Sequence, residues 1–327
     1  MSDLKQRLSE PGIIILDGAT GTQLQKLGLP PGMAPDLWNL DNPEAVKTHY
    51  RAYIEAGSDA ILTNSFGGTR PRLILEKSEH LTAAVNVAAA SLAREVAGDG
   101  VLVLGSVGPT GVLIEPMGDM HYDEAVDYFA EQIQALVEGG VDGIHIETMS
   151  DLREAQAAIE AAQQVSSLPV TVTMSFDTHG RTMMGVTPEE AVKVLWGSGV
   201  LAVGVNCGRS LDDNLVAATA MRSAVPEATL IAKPNAGLPR LEGLGEAIYD
   251  VTSEIMADYA LKFATQHVKM LGACCGSDPS HITAMKEALA SFVAPPLEQV
   301  LADNAAAVTE VNGQGRRRRG NRRGERA

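Results

Sequence analysis

Cysteine is scarce in this chain: three in 327 residues, two of them adjacent. An odd count with a vicinal pair does not build a disulfide framework, so we expect a reducing, cytoplasmic setting. No apolar run approaches the roughly 20 residues that cross a bilayer. The opening residues, Met1-Ser2-Asp3-Leu4-Lys5-Gln6-Arg7, hold no apolar leader segment. No well-placed G-x-G-x-x-G follows the first apolar run, which argues against an open dinucleotide-binding sheet. Negative charge outweighs positive in the body. Residues 312 to 327 hold seven arginines and one glutamate, a net of +6, and removing that from the total of −15 leaves −21 elsewhere. A body so acidic is not expected to bind nucleic acid.

What is present is a repeating unit. Apolar stretches at residues 13–17, 60–64, 101–106, 143–147, 169–176, 201–206, 229–234 and 268–273 read as strands. Helical segments separate them, such as the one that Asn42-Pro43-Glu44 caps and that runs to about Ala56. Eight near-continuous apolar strands alternating with helices predict a parallel sheet closed into a (β/α)₈ TIM barrel over residues 1–294. Pro295-Pro296 ends that fold. A short helix is expected from Leu297 to Val308, and the arginine tract beyond it reads as disordered. A solvated end is the first reading of that tail, and a contact with nucleic acid or an acidic partner is the alternative.

Polar residues gather where the strands end: Asp17, Asn64, Ser106, Glu147, Asn206 with Cys207, Asn235, and Cys274 with Cys275. That is the face on which such barrels build active sites. Period-two alternation puts Ile13, Ile15 and Asp17 on one side of the first strand, and His145 with Glu147 on one side of the fourth. His145 reads as a core histidine. Neighbouring cysteines inside a strand would face apart, so Cys274 and Cys275 can share a metal only where the backbone bends, and Gly272 and Gly276 permit a bend. Three thiolates predict zinc with one open position, the catalytic pattern. Such a site is too electron-rich to activate water well, but it holds an exchangeable thiol as a nucleophile, a form that is a few per cent populated at a thiol pKa of about 8.5. Asp17 and Glu147 suit an ammonium group, pointing to a thiol amino acid. A structural zinc site and a thiol redox sensor are the alternatives.

The motifs Asp17-Gly18-Ala19-Thr20-Gly21-Thr22, Thr63-Asn64-Ser65-Phe66-Gly67, Gly105-Ser106-Val107-Gly108-Pro109-Thr110, Ile146-Glu147-Thr148, Gly204-Val205-Asn206-Cys207, Pro234-Asn235-Ala236-Gly237 and Gly272-Ala273-Cys274-Cys275-Gly276 occur in that order. With them the chain resembles the homocysteine S-methyltransferases from about Gly12 to Leu289. That family includes the homocysteine-binding module of cobalamin-dependent methionine synthase and betaine–homocysteine methyltransferase. The resemblance implies zinc on Cys207, Cys274 and Cys275, with Asn235 in the fourth position until homocysteine displaces it. It implies a substrate site from Asp17, Gly18, Thr20, Asn64, Ser65 and Glu147. Trp38 matches a donor-side aromatic of the betaine enzymes, whereas Gly67 and Thr148 stand where two tyrosines are expected. Glycine betaine, a methylated corrinoid protein, and a sulfonium such as S-methylmethionine therefore stay open as donors. Self-association stays open as well.

Overall fold

In the computed structural model, which describes residues 4–242 and 246–307, eight parallel strands form a nearly closed barrel ringed by helices. The strands are β1 (Ile14–Ile15), β2 (Ala60–Leu62), β3 (Leu102–Val107), β4 (Gly143–Met149), β5 (Val170–Met174), β6 (Ala202–Cys207), β7 (Leu230–Pro234) and, after a hairpin of β8 (Arg240–Glu242) and β9 (Glu246–Ile248), β10 (Val268–Leu271). The sheet order is β1-β10-β7-β6-β5-β4-β3-β2. At the seam between β1 and β2 a few bonds, two of them to carboxylates, replace the ladder. Asp59 N–H donates to Ile15 O (2.7 Å), Ile15 N–H to Asp59 Oδ2 (2.9 Å), and Leu62 N–H to Asp17 Oδ2 (2.7 Å).

Alternation along the strands separates two apolar layers. Ile15, Ile61, Val103, Ile144, Ile146, Val172, Val203 and Leu230 face the helices and join their buried residues in one large cluster. Ile14, Leu16, Ala60, Leu62, Leu102, Leu104, Ala202, Ile231 and Met270 form a second cluster inside the barrel. Among the described residues, the one buried member of that inner cluster from outside the sheet region is Leu4, fully buried, from a short helix (Leu4–Ser9) that plugs the barrel. The expected grouping of Ile15 with Asp17 on one side of β1 does not hold: Ile15 faces outward, Ile14 and Leu16 face in, and Asp17 reaches the interior to accept from Lys233. The residue-by-residue register with β10 covers only Ile14–Ile15, so Asp17 is not bound by the strand's parity.

Helix signals in the sequence are realised closely. The helix expected behind Asn42-Pro43-Glu44 spans Pro43–Glu55, although Asn42 makes no side-chain cap bond, and the helices Tyr122–Glu138, Pro188–Gly197, Leu211–Ala224 and Pro279–Leu289 likewise alternate with the strands. Asp278 caps the last of them, accepting the Ser280 N–H. Residues 297–307 are helical and dock on the barrel through buried Val300 and hydrogen bonds from Asn304 to Gln266 and Ser223. The arginine tract lies outside the described residues. Among the described residues no helix is long and apolar enough to cross a membrane.

Candidate active site

The three cysteines meet at the carboxyl end of the barrel. Their sulfurs all lie within 4.8 Å of one another, and Cys207 Sγ is 3.2 Å from Cys274 Sγ. The ends of three strands are bolted together to achieve this. Cys274 N–H donates to Pro234 O, Ala236 N–H to Cys275 O, and Asn235 N–H to Cys207 O. The bend that lets adjacent cysteines face one point is made at Gly276, whose φ of +81° is left-handed. Any Cβ there would also run into the Tyr249 ring. Cys207 itself has φ +55°, and Thr148 across from it has φ +61°. Such backbone is costly for side-chain-bearing residues and persists where surroundings over-determine it. Here Asn206 does so, accepting Thr148 N–H (2.9 Å) and donating to Thr148 Oγ1 (2.6 Å).

The crowded thiols titrate as one unit. Hydrogen bonds with Cys274 and Cys275, then burial, push Cys207 well above the ordinary thiol range. Cys275 accepts from both partners and is pulled below it. One negative sulfur is thus already favoured, and a divalent cation is the natural means of releasing the other two protons. The donor set fits a metal ion. Asn235 adds to the fit: its Nδ2 donates to Gly208 O (2.9 Å), while its buried Oδ1 has no hydrogen-bond partner among the described residues.

Beside the sulfurs lies a buried charge cluster. Lys233, at the end of β7, donates to Asp17 Oδ1 at 2.8 Å with both side chains almost fully buried. Burial works against the ammonium, but the fields of Asp17 and Glu147 outweigh it and hold Lys233 above its ordinary value. Burial likewise drives Asp17 upward, against the lysine charge and the Leu62 N–H. We read the pair as ionised, because Asp17 accepts two hydrogen bonds and Lys233 sits between two carboxylates. Glu147 accepts the Ser106 hydroxyl on Oε1 at 2.5 Å, and burial raises its carboxyl to about 7. Lys233 did not stand out from the sequence. Its signal was a lone charge in the otherwise apolar strand Leu-Ile-Ala-Lys-Pro. His145, inside the barrel, bonds Thr171 Oγ1 (2.8 Å) through Nδ1 and is held neutral by burial, as a core histidine.

A cavity of about 510 Å³ opens over this floor, lined by Gly18, Thr20, Asn64, Ser65, Ser106, Glu147, Thr148, Lys233 and the three cysteines. Gly18 is required by close approach: a Cβ would stand 2.5 Å from Ser277 Oγ and 2.7 Å from the Tyr53 hydroxyl. Those two groups pin the next residue, Ser277 Oγ accepting Ala19 N–H and Tyr53 donating to Ala19 O. Asn64 and Ser65 form wall rather than free ligands. Asn64 donates to Pro35 O and Asn39, and Ser65 donates to Ser106 O. The outer wall carries Met33, Phe66, Arg72 and Asp36, a carboxyl that accepts Gly67 N–H and that burial raises to about 6. Trp38 is not on this wall. It is 7% exposed and packed into the large core cluster, because the turn at Pro35–Leu37 faces Asp36, not the indole, toward the cavity. A second cavity, of about 520 Å³ between residues 12–15 and 264–294, holds no cysteine, and its lysines are tied to backbone carbonyls.

The homocysteine S-methyltransferase family model matches residues 14–289. The chain belongs to the homocysteine S-methyltransferase family. Solved structures agree at the level of fold. The homocysteine methyltransferase MmuM from Escherichia coli in its metallated form superimposes with a TM-score of 0.73 at 22% identity, covering 87% of this chain and 99% of that one. Its oxidized form gives 0.72 at 22% identity, covering 86% and 97%. A methyltransferase from Methanosarcina mazei gives 0.58 at 14%, covering 88% and 97%. The chain is therefore a methyltransferase whose metal-competent cysteine cluster lines the cavity of about 510 Å³ at the carboxyl end of its barrel.

Proposed function

We propose that the protein is a zinc-dependent enzyme that methylates homocysteine on sulfur to give methionine. The observation that carries this reading is the convergence of three cysteine sulfurs, within 4.8 Å, on a cavity floor shared with Glu147 and Lys233. Cys207, Cys274 and Cys275 would hold zinc, with Asn235 Oδ1 suited to the fourth position. When bound, zinc supplies a means of keeping a substrate thiol in its nucleophilic, deprotonated form at neutral pH.

The chain's own residues supply binding and orientation. Glu147 offers a carboxylate to the substrate ammonium, and the Gly18–Thr20 and Asn64–Ser65 loops wall the amino acid in. In the reaction the homocysteine sulfur pair forms the new bond to the methyl carbon. The bond from that carbon to the donor breaks, its pair stays with the donor atom, and the thiol proton goes to solvent. Glycine betaine, a sulfonium such as S-methylmethionine and a methylated corrinoid protein are the three donors compatible with this balance. Asp36 and the Phe66 ring on the outer wall support a small cationic donor over a corrinoid protein, since a carboxylate and an aromatic face both stabilise an onium group. The test is methionine formation by zinc-loaded protein offered homocysteine with each donor in parallel. Turnover with betaine or the sulfonium upholds the reading in full. Turnover with methylcobalamin alone moves the donor to a corrinoid partner, and methionine formed equally well by metal-stripped protein refutes the zinc site.

A further inference from the structure

The buried charges beside the cysteines are not equivalent. Asp17 has both oxygens engaged, Oδ2 by the Leu62 N–H and Oδ1 by Lys233. Among the described residues, Glu147 commits only Oε1, to the Ser106 hydroxyl. Among them, too, Lys233 donates one hydrogen bond of the three an ammonium can make, although its side chain is 2% exposed. Both Lys233 and Glu147 line the cavity that holds Cys207, Cys274 and Cys275. The cavity floor therefore presents one carboxylate oxygen and one ammonium side by side, next to the sulfurs.

That pattern complements a zwitterion carried on a thiol. Ionised Asp17, Glu147 and Lys233 sum to a charge of −1, so Asp17 is neutralised internally and Glu147 carries the charge that remains. An ammonium group lodged between both carboxylates would lie against the like charge of Lys233, which is repulsive in a site this dry. The opposite orientation satisfies every group. We infer that Lys233 receives the α-carboxylate of the thiol substrate, while Glu147 receives its ammonium and Asp17 serves as the buried counterion that keeps Lys233 in place. This inference rests on homocysteine being the substrate, and it makes Lys233 a determinant of specificity for amino acid thiols.

The test compares homocysteine with two analogues, one lacking the carboxylate (an aminopropanethiol) and one lacking the amine (a sulfanylbutanoate). Each is titrated calorimetrically into the zinc-loaded full chain without donor, and each is then used in steady-state turnover. Wild-type protein is expected to favour homocysteine over the carboxylate-free analogue by about 10- to 100-fold in Kd, the scale of one charge-assisted hydrogen bond. Lys233→Met should weaken homocysteine by a similar factor and leave the Kd of the carboxylate-free analogue nearly unchanged. Lys233→Arg should recover part of the discrimination. Because Lys233→Met strands Asp17, the double variant Asp17→Asn with Lys233→Met provides the same comparison without a buried uncompensated charge. If Lys233→Met weakens both thiols equally, or neither, the inference is overturned. Wild-type protein that makes no methionine from homocysteine would instead refute the underlying functional reading, so the two failures are distinct.

Discussion

Replacing Glu147 with glutamine should stabilise the protein and impair it at the same time. Burial raises the carboxyl from its ordinary 4.5 to about 7. The native state therefore holds this proton more tightly than the unfolded chain does. That contribution to stability is complete below about pH 4.5 and is lost as the pH rises through about 7. At about 1.4 kcal/mol per unit, ionised Glu147 costs the folded protein roughly 3 kcal/mol at pH 8. Glutamine never ionises and can still accept the Ser106 hydroxyl, but Lys233 loses the field of one carboxylate. A net gain of about 1–3 kcal/mol at pH 8 is expected, shrinking toward zero at pH 5. The assay is urea unfolding of metal-free wild type and Glu147→Gln at both pH values. In the zinc-loaded enzyme the same variant should raise KM for homocysteine about 10- to 100-fold through loss of the ammonium's partner. Wild-type kcat/KM should fall as pH drops below about 7, and the variant should lack that acid limb. A variant that is less stable at pH 8 would show that Glu147 is not strained by burial, and one that binds homocysteine as well as wild type would show that Glu147 is not the partner of the substrate ammonium.

Three further outcomes are expected. Cys207→Ala, Cys274→Ala and Cys275→Ala should each lose stoichiometric zinc, measured by elemental analysis, together with methyl transfer, and an active zinc-free variant would count against the metal reading. Gly18→Ala should force apart Ser277 and the Tyr53 hydroxyl at a cost of about 1–3 kcal/mol. It should also raise KM by shifting the loop that walls the substrate, read by thermal unfolding and kinetics on one preparation. Trp38→Ala should cost about 3–5 kcal/mol as a core truncation. Any rise in KM for the donor should be no greater than that for homocysteine, since the indole does not line the cavity.

What the sequence made legible is what local chemistry determines. Eight apolar runs separated by capped helices are each readable within a dozen residues, and the barrel follows from their repetition. The three cysteines were legible because a thiol pair between glycines at a strand end has few other uses. Glu147 and His145 fell on one side of β4, as expected, because the left-handed residue in that strand is Thr148, which follows both. β1 pairs over only Ile14–Ile15, so alternation could not be extended to Asp17. The link between Asp17 and Lys233 spans 216 residues and depends on barrel closure, which no local pattern encodes. The same is true of the Leu4 plug. Trp38 illustrates the converse limit: its alignment with a family position was readable, but the direction of its ring depends on how the Pro35–Leu37 turn packs.

Zinc K-edge absorption spectroscopy, before and after addition of homocysteine, would show whether the substrate sulfur joins the cysteines on the metal. Three sulfur scatterers are expected in the protein alone and a fourth on adding homocysteine, with no such change on adding homoserine. An unaltered spectrum would mean that the cysteine cluster does not hold the substrate sulfur, and the proposed chemistry would fall with it.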